Sequence, residues 1–285
     1  MPIHATAVIL VETDAMRGYH SASYGDAFAD VYDEWYGDIS DVGSTVQFIA
    51  SLAGAGQGSG QGDGPAANVL ELGVGTGRIA IPLAASGCSV TGIDSSTKML
   101  DQLANNDPHR TVTGVLGDMI EDLPSGPFDV VLAAYNTIFN LLDADRQQAC
   151  FTAVAERLEP GGSFVVEAFA PLANHATESN ETGQTGSKLS VRSISADRVV
   201  LSASMHDPAT NRADGQFIEI TESGGVRLRP WSIRYADTAE LDRYATQSGL
   251  QLHARWADFE RTPFDDASER HVSVYRRCQE WEPAG

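Results

Sequence analysis

At 285 residues, the chain is long enough for one large domain, or a core domain with a sizeable insertion, that buries most of its apolar side chains. Its 39 acidic residues against 19 basic ones give a net charge of -20, a field that repels phosphate backbones and anionic lipid heads and excludes nucleic acid and membrane surfaces as expected partners. The three cysteines, Cys88, Cys150 and Cys278, are far apart and in no metal-ligand spacing, so neither a disulfide framework nor a metal site is expected and they read as reduced thiols of a cytoplasmic protein.

The opening "MPIHATAVILVETDAM" has a short apolar run without a basic flank, and Glu12 and Asp14 follow at once, which is unlike a secretory signal. Residues 1–20 lack periodicity and are expected to form a mobile arm. In "YGDAFADVYDEWYGD" the spacing of Phe28, Val31, Tyr32, Trp35 and Tyr36 predicts an amphipathic helix with an aromatic stripe. A second helix is expected over Val42–Leu52, ending in the glycine-rich tract "AGAGQGSGQGDGP", which reads as a loop.

From Asn68 onward, short Val/Leu/Ile-rich strands alternate with helices of about ten residues: "NVLEL", "SVTGID", "VTGVLGD", "FDVVLAAY" and, after a helix over 143–158, "SFVVEAFA". This alternation predicts an α/β core, a doubly wound parallel sheet covered on both faces. The runs "LSVRSIS", "RVVLSASMHD", "QFIEITES" and "VRLRPWSIRY" then show partial period-two alternation and predict an antiparallel meander. A helix over 238–248 and strands near 250–256 and 271–276 return to the core. The expected division is a core of 21–187 and 236–285 with a β insertion at 188–235 that serves as a lid, a homodimer surface or both.

The stretch "VLELGVGTGRIAIPL" holds Gly73, Gly75 and Gly77, spaced G-x-G-x-G. The third glycine of the dinucleotide fingerprint would fall at Arg78, whose side chain obstructs the close packing that this glycine permits. Glu71, just before the turn, suits a cofactor with a positive amino group better than a pyrophosphate. Asp94 ends the next strand, where an acid accepts hydrogen bonds from ribose hydroxyls. Asp118 and Met119 end the third, where a carboxylate can take an adenine amino group and a polarizable side chain can pack on the ring. Each acid alone is more often a strand-end or capping residue, but three at successive carboxyl ends mark the edge where open α/β sheets bind ligands.

These motifs, together with "GDM", "FDVVLAAYNTIFNL" and "LEPGGSFVVEAF", resemble those of class I S-adenosylmethionine-dependent methyltransferases, over roughly residues 24–170. "ADVYDEWYGD" is similar to the start of dTDP-amino-sugar N-methyltransferases and related small-molecule enzymes. The resemblance implies a mostly parallel, seven-stranded Rossmann-like sheet with an N-terminal helical cap. It also implies S-adenosylmethionine as cofactor, with Glu71 and Gly73 along its methionine part and Tyr36 closing over its carboxylate. Ala134 and Tyr135 would border the sulfonium and the acceptor. The departures are "NTIFNL" after the fourth strand, a longer meander and the lack of a clear basic cluster for a nucleotide-sugar diphosphate.

The expected function is methyl transfer to nitrogen or oxygen of a small-molecule acceptor, in specialised metabolism. An activated methyl group asks the enzyme chiefly for alignment and exclusion of water. Tyr135 at the acceptor, and His175 or Glu167 as base or ammonium anchor, are the catalytic candidates, with His206 a further histidine in the meander. Trp231, Arg234 and Tyr235 could line an acceptor pocket or be ordinary strand residues, and Tyr32 and Trp35 read as core aromatics. Two other readings stay open, a nicotinamide-dependent oxidoreductase and a non-catalytic partner that binds the same cofactor.

Overall fold

The computed structural model describes residues 16–37, 41–54, 66–171 and 186–277. Most of the expected N-terminal arm, most of the glycine-rich tract and His175 lie outside the described residues. The chain opens with α1 (Ser23–Phe28), α2 (Tyr32–Tyr36) and α3 (Val42–Leu52). It continues through β1 (Asn68–Leu72), α4 (Ala80–Ala85), β2 (Ser89–Asp94), α5 (Thr97–Asn106), β3 (Val112–Leu116) and β4 (Phe128–Ala133). A 3-10 turn (Thr137–Asn140), α6 (Ala144–Arg157) and β5 (Leu158–Phe169) complete the parallel part. The insertion is β6 (Gly186–Ile194), β7 (Arg198–Asp207), β8 (Arg212–Thr221) and β9 (Gly225–Arg234), and α7 (Thr238–Gln247), β10 (Leu250–Trp256) and β11 (Arg270–Arg277) follow it.

Seven strands form one sheet in the order β10-β11-β5-β4-β1-β2-β3, with β1 to β5 parallel and β11 antiparallel to both its neighbours, β5 and β10. The expected doubly wound architecture is therefore present, and β6–β9 form a separate antiparallel meander. The near-continuous apolar reading of β1 and β4 has its reason here, because both are flanked by strands and covered on both faces. Four helices begin where side-chain oxygens cap their first free amides: Asp41, Ser96, Asp143 and Asp237 each accept from the amide three residues on.

The predicted single helix over "YGDAFADVYDEWYGD" is two short ones instead. Helices of this length gain little from their own hydrogen bonds, and the break at Ala29–Val31 leaves Asp30 to pair with Arg227 and Arg229 of β9. Phe28, with Trp35, Phe217 and Trp231, closes an aromatic cluster between cap and insertion. The larger core lies under α6, where Phe151 is fully buried among Phe164, Tyr244 and Tyr275. Phe151→Ala should cost about 3–5 kcal/mol in urea unfolding, because these rings belong to three different elements that cannot collapse onto one cavity.

Candidate active site

A cavity of about 850 Å³ opens at the carboxyl edge of the parallel sheet, beside the point between β1 and β4 where the chain reverses its direction of strand addition. Its floor is the series of turns after β1, β2, β3 and β4, and its roof is α1 and α2 together with Phe217, Trp231 and Ile233 of the insertion. Of the predicted residues, Tyr36, Gly73, Gly75, Asp94, Asp118, Met119, Tyr135 and Glu167 line it. Glu71, Gly77 and Ala134 are not among its walls.

Gly73 and Gly77 explain the glycine turn in different ways. Gly73 sits at φ 64°, and a Cβ there would press on Thr137 of the 3-10 turn. Gly77, at φ 85°, is a packing residue, since its missing side chain makes room for Leu103 and Ile81. The amide of Gly75 donates to Asp94 Oδ2 at 2.9 Å and that of Ser96 to Oδ1 at 2.8 Å, so the carboxylate is fixed by backbone while each oxygen keeps a further lone pair. Burial nonetheless holds the Asp94 carboxyl above its ordinary value, outweighing those amides.

Glu71 is buried beneath this turn, and its Oε2 has no hydrogen-bond partner among the described residues. Burial pushes its carboxyl up to about 8, with the nearby Arg78 guanidinium and the Ala80 amide lowering it only in part. Arg78, known from sequence only as the residue that spoils the dinucleotide fingerprint, lines the cavity. It donates to the Tyr36 carbonyl at 2.9 Å and lies 4.0 Å above the Tyr135 ring centroid, joining cap and floor.

After β4, Tyr135 and Asn136 are both left-handed, with φ 52° and 65°. Such backbone costs on the order of 1–3 kcal/mol per residue and persists only where neighbours hold it. The Tyr135 amide donates to the Glu167 carboxylate, the Asn136 amide to the Glu167 carbonyl at 3.1 Å, and Asn136 Oδ1 accepts from the Phe169 amide at 2.7 Å. Glu167 is 6% exposed, and burial raises its carboxyl above the ordinary value despite the Tyr135 amide and the more distant Arg270 and Arg78.

Asp118 already has donors on both oxygens, Arg146 at 2.6 Å and the Ile120 amide at 2.9 Å. Arg234 is tied to Gln147 and Glu240, and His206 and Tyr235 bond each other away from the cavity walls. Tyr32, expected to be a core aromatic, does line the cavity, and burial pushes its phenol up to about 12. The cap is held to the floor by Asp33 with Thr76 at 2.6 Å and by Asp26 with Ser96 at 2.7 Å.

Residues 69–162 match the model of a methyltransferase domain. The chain is 42% identical to the CcbJ methyltransferase of Streptomyces caelestis, with 91% of this chain and 100% of that one superposed at a TM-score of 0.79. The chain belongs to the S-adenosylmethionine-dependent methyltransferases. The cypemycin N-terminal methyltransferase of a Streptomyces species is 27% identical over 213 residues, 74% of this chain and 83% of that protein. An amino pentose methyltransferase of Micromonospora echinaspora, solved with S-adenosylmethionine, shares the fold at a TM-score of 0.60 and 21% identity, covering 87% and 96% of the two chains. The cofactor is S-adenosylmethionine, and the oxidoreductase and non-catalytic readings fall with this assignment.

The site of this methyltransferase fits that cofactor. The Glu71 oxygen without a hydrogen-bond partner, beneath the turn, suits an ammonium group near the cavity floor, and the glycine cradle leaves backbone rather than side chains facing the cavity. Tyr19, His20 and Ser21, in a stretch without periodicity, also line the cavity and were missed, as was Tyr24 at the start of the predicted helix, whose ring stacks on Phe28. Since the folded state holds Glu71's proton up to about pH 8 and the unfolded chain releases it near 4.3, the stability this proton confers on the ligand-free enzyme is complete below about pH 4 and is lost as pH rises to 8. Glu71→Gln lacks this proton, so its stability relative to wild type should climb over that window with a slope of at most about 1.4 kcal/mol per pH unit in chemical denaturation.

Proposed function

We propose that this enzyme methylates a nitrogen of a small-molecule acceptor in specialised metabolism, and that Glu167 takes the proton the nitrogen must lose. The observation that carries the reading is Glu167 itself, a cavity-lining carboxylate whose strongest contact is a neutral amide and whose burial favours accepting a proton or a cation. The name of the cypemycin N-terminal methyltransferase points the same way, since an N-terminus is an amine. A phenol or alcohol acceptor would use the same carboxylate as a base, and an amine uses it both as anchor and as base.

In this reading Glu71 and Gly73 serve the methionine part of the cofactor with Tyr36 above it, Asp94 takes the ribose hydroxyls, and Asp118 with Met119 frames the adenine. Asp118's ties to Arg146 and Ile120 fix its position and, as at Asp94, leave an acceptor lone pair open. When bound, the cofactor supplies an activated methyl group. The protein aligns the acceptor against Tyr135, excludes water with Phe217 and Trp231, and moves one proton onto the Glu167 carboxylate. The cavity's volume leaves room beside the cofactor for an acceptor of modest size. A cytoplasmic location belongs to the same proposal and is supported by Cys88 and Cys150, both free and buried; no helix among the described residues is long and apolar enough to cross a membrane.

S-adenosylhomocysteine at about 100 times its dissociation constant should stabilise the enzyme by about 2.7 kcal/mol, raising Tm by several degrees, while NAD leaves it unchanged. Asp94→Ala should abolish most of that shift, and an intact shift would remove the ribose assignment. Glu167→Gln keeps an acceptor for the Tyr135 amide, so its cofactor shift should persist while methyl transfer from labelled S-adenosylmethionine to amines falls about 10²- to 10⁴-fold. Wild-type rates in that variant would rule out Glu167 as the base.

A further inference from the structure

Three arginines line the cavity, and two of them are already engaged. Arg78 donates to the Tyr36 carbonyl and covers the Tyr135 ring, and Arg146 pairs with Asp118 and Glu121 at 2.6 and 3.2 Å. Arg270, the first residue of β11, forms no hydrogen bond or ion pair with any described residue. On a chain with 39 acidic residues against 19 basic ones a cation finds an acid easily, so a guanidinium left open in a cavity wall is available to a ligand.

Strand register fixes its place. Arg270 stands opposite Phe169 and Val272 opposite Glu167, so Arg270 and Glu167 are diagonal neighbours on one face of the sheet. Such neighbours have Cβ atoms about 7 Å apart, within reach of a long side chain. The guanidinium's charge reaches the Glu167 carboxylate and favours its ionised form, but the two do not pair. Asp258, the other acid that feels Arg270, is occupied within its own turn by the amides of Glu260 and Thr262.

The wall between cation and carboxylate is apolar. Phe169, opposite Arg270, packs its ring on Phe139 and Tyr235, and Leu142 and Ile233 extend the lining. An anion and a cation held apart beside an apolar wall match a zwitterion, with its nitrogen at Glu167, its carboxylate on the guanidinium fork and its apolar remainder against Phe169. The neighbouring charge in the wall is Glu269. One cation beside one anion suits a single negative charge and disfavours a diphosphate.

We propose that Arg270 determines acceptor specificity by binding a carboxylate that the acceptor carries a few bonds from its amine, as an apolar α-amino acid does. The inference rests on the reading of Glu167 as the group that receives the acceptor nitrogen.

The test measures methyl transfer from labelled S-adenosylmethionine to leucine, phenylalanine and proline, to their amides and to the corresponding amines without a carboxyl group, with rates corrected for the fraction of unprotonated amine. Wild-type kcat/KM should favour each acid over its amide about 10- to 100-fold, as a hydrogen bond between charged groups implies. Arg270→Gln should bring that ratio close to one, and Arg270→Lys should recover part of it, because it restores the charge without the fork. Glu167→Gln should slow acids and amides alike and keep their ratio, so failure of the Glu167 reading is distinguishable from failure of this one. In the complex with S-adenosylhomocysteine, each acid should raise Tm further. Arg270→Gln should lose that increment while keeping the shift from S-adenosylhomocysteine itself, which shows that the variant is folded. Amides or simple amines methylated as well as the acids overturn the proposal and leave the Glu167 reading standing. An acid preference that survives in Arg270→Gln, or transfer to none of these compounds, overturns it equally.

Discussion

A carboxylate taken out of water must find a cation, a set of amide donors or a proton, and two in the cavity wall of this methyltransferase and one beneath its glycine turn are incompletely provided for. Asp94 has two backbone amides, Glu167 has one, and Glu71 has an oxygen with no partner among the described residues. Burial raises all three above their ordinary values, because the protein's own cations and amides do not cancel the desolvation. In the reading proposed here, the spare acceptor capacity of Asp94 would meet hydroxyls and that of Glu167 a proton to be removed. The energetic cost of burying these groups is thus the same property that makes the cavity selective.

The surroundings of the carboxylates follow from holding them still. Asp94 is fixed by the glycine turn, whose backbone approaches because no side chains intervene. Glu167 is fixed by the left-handed pair Tyr135 and Asn136, and the three residues hold one another in a conformation none would adopt alone. Above them, Arg78 joins the floor to the cap through Tyr36 and Tyr135. The cap is in turn joined to the insertion by Asp30 with Arg227 and Arg229. Arg229 is 1% exposed and lies between Asp30 and Glu219, with its guanidinium over Trp35. A buried arginine without these acids would be untenable, so cap and insertion close the cavity together.

Much of this was legible in the chain. The strand-helix alternation implied the sheet, and the spacing of Gly73, Gly75 and Gly77 against Arg78 spoke against the dinucleotide turn. The positions of Asp94 and Asp118 at strand ends placed the ligand edge. The residues that the sequence described least completely share one cause: their surroundings come from distant parts of the chain. Gly77 reads like a ligand glycine, and its missing side chain also makes room for Leu103. Tyr32 reads like a core aromatic, and it both packs on the aromatic cluster and lines the cavity. Tyr19, His20 and Ser21 carry no pattern, since a segment held only by tertiary contacts needs no period.

The sequence by itself determined the fold class, the sheet edge that carries the cavity and the acids along it, because period, glycine spacing and strand-end position are local properties that one stretch of backbone imposes. Only the tertiary structure decided that Glu71 lies beneath the turn rather than in the cavity wall and that Arg78 bridges cap and floor. It also decided that Glu167 is locked against a left-handed Tyr135 and that one face of the insertion roofs the cavity. Each of these depends on desolvation and packing between segments far apart in the chain, and those quantities exist only once the chain has folded.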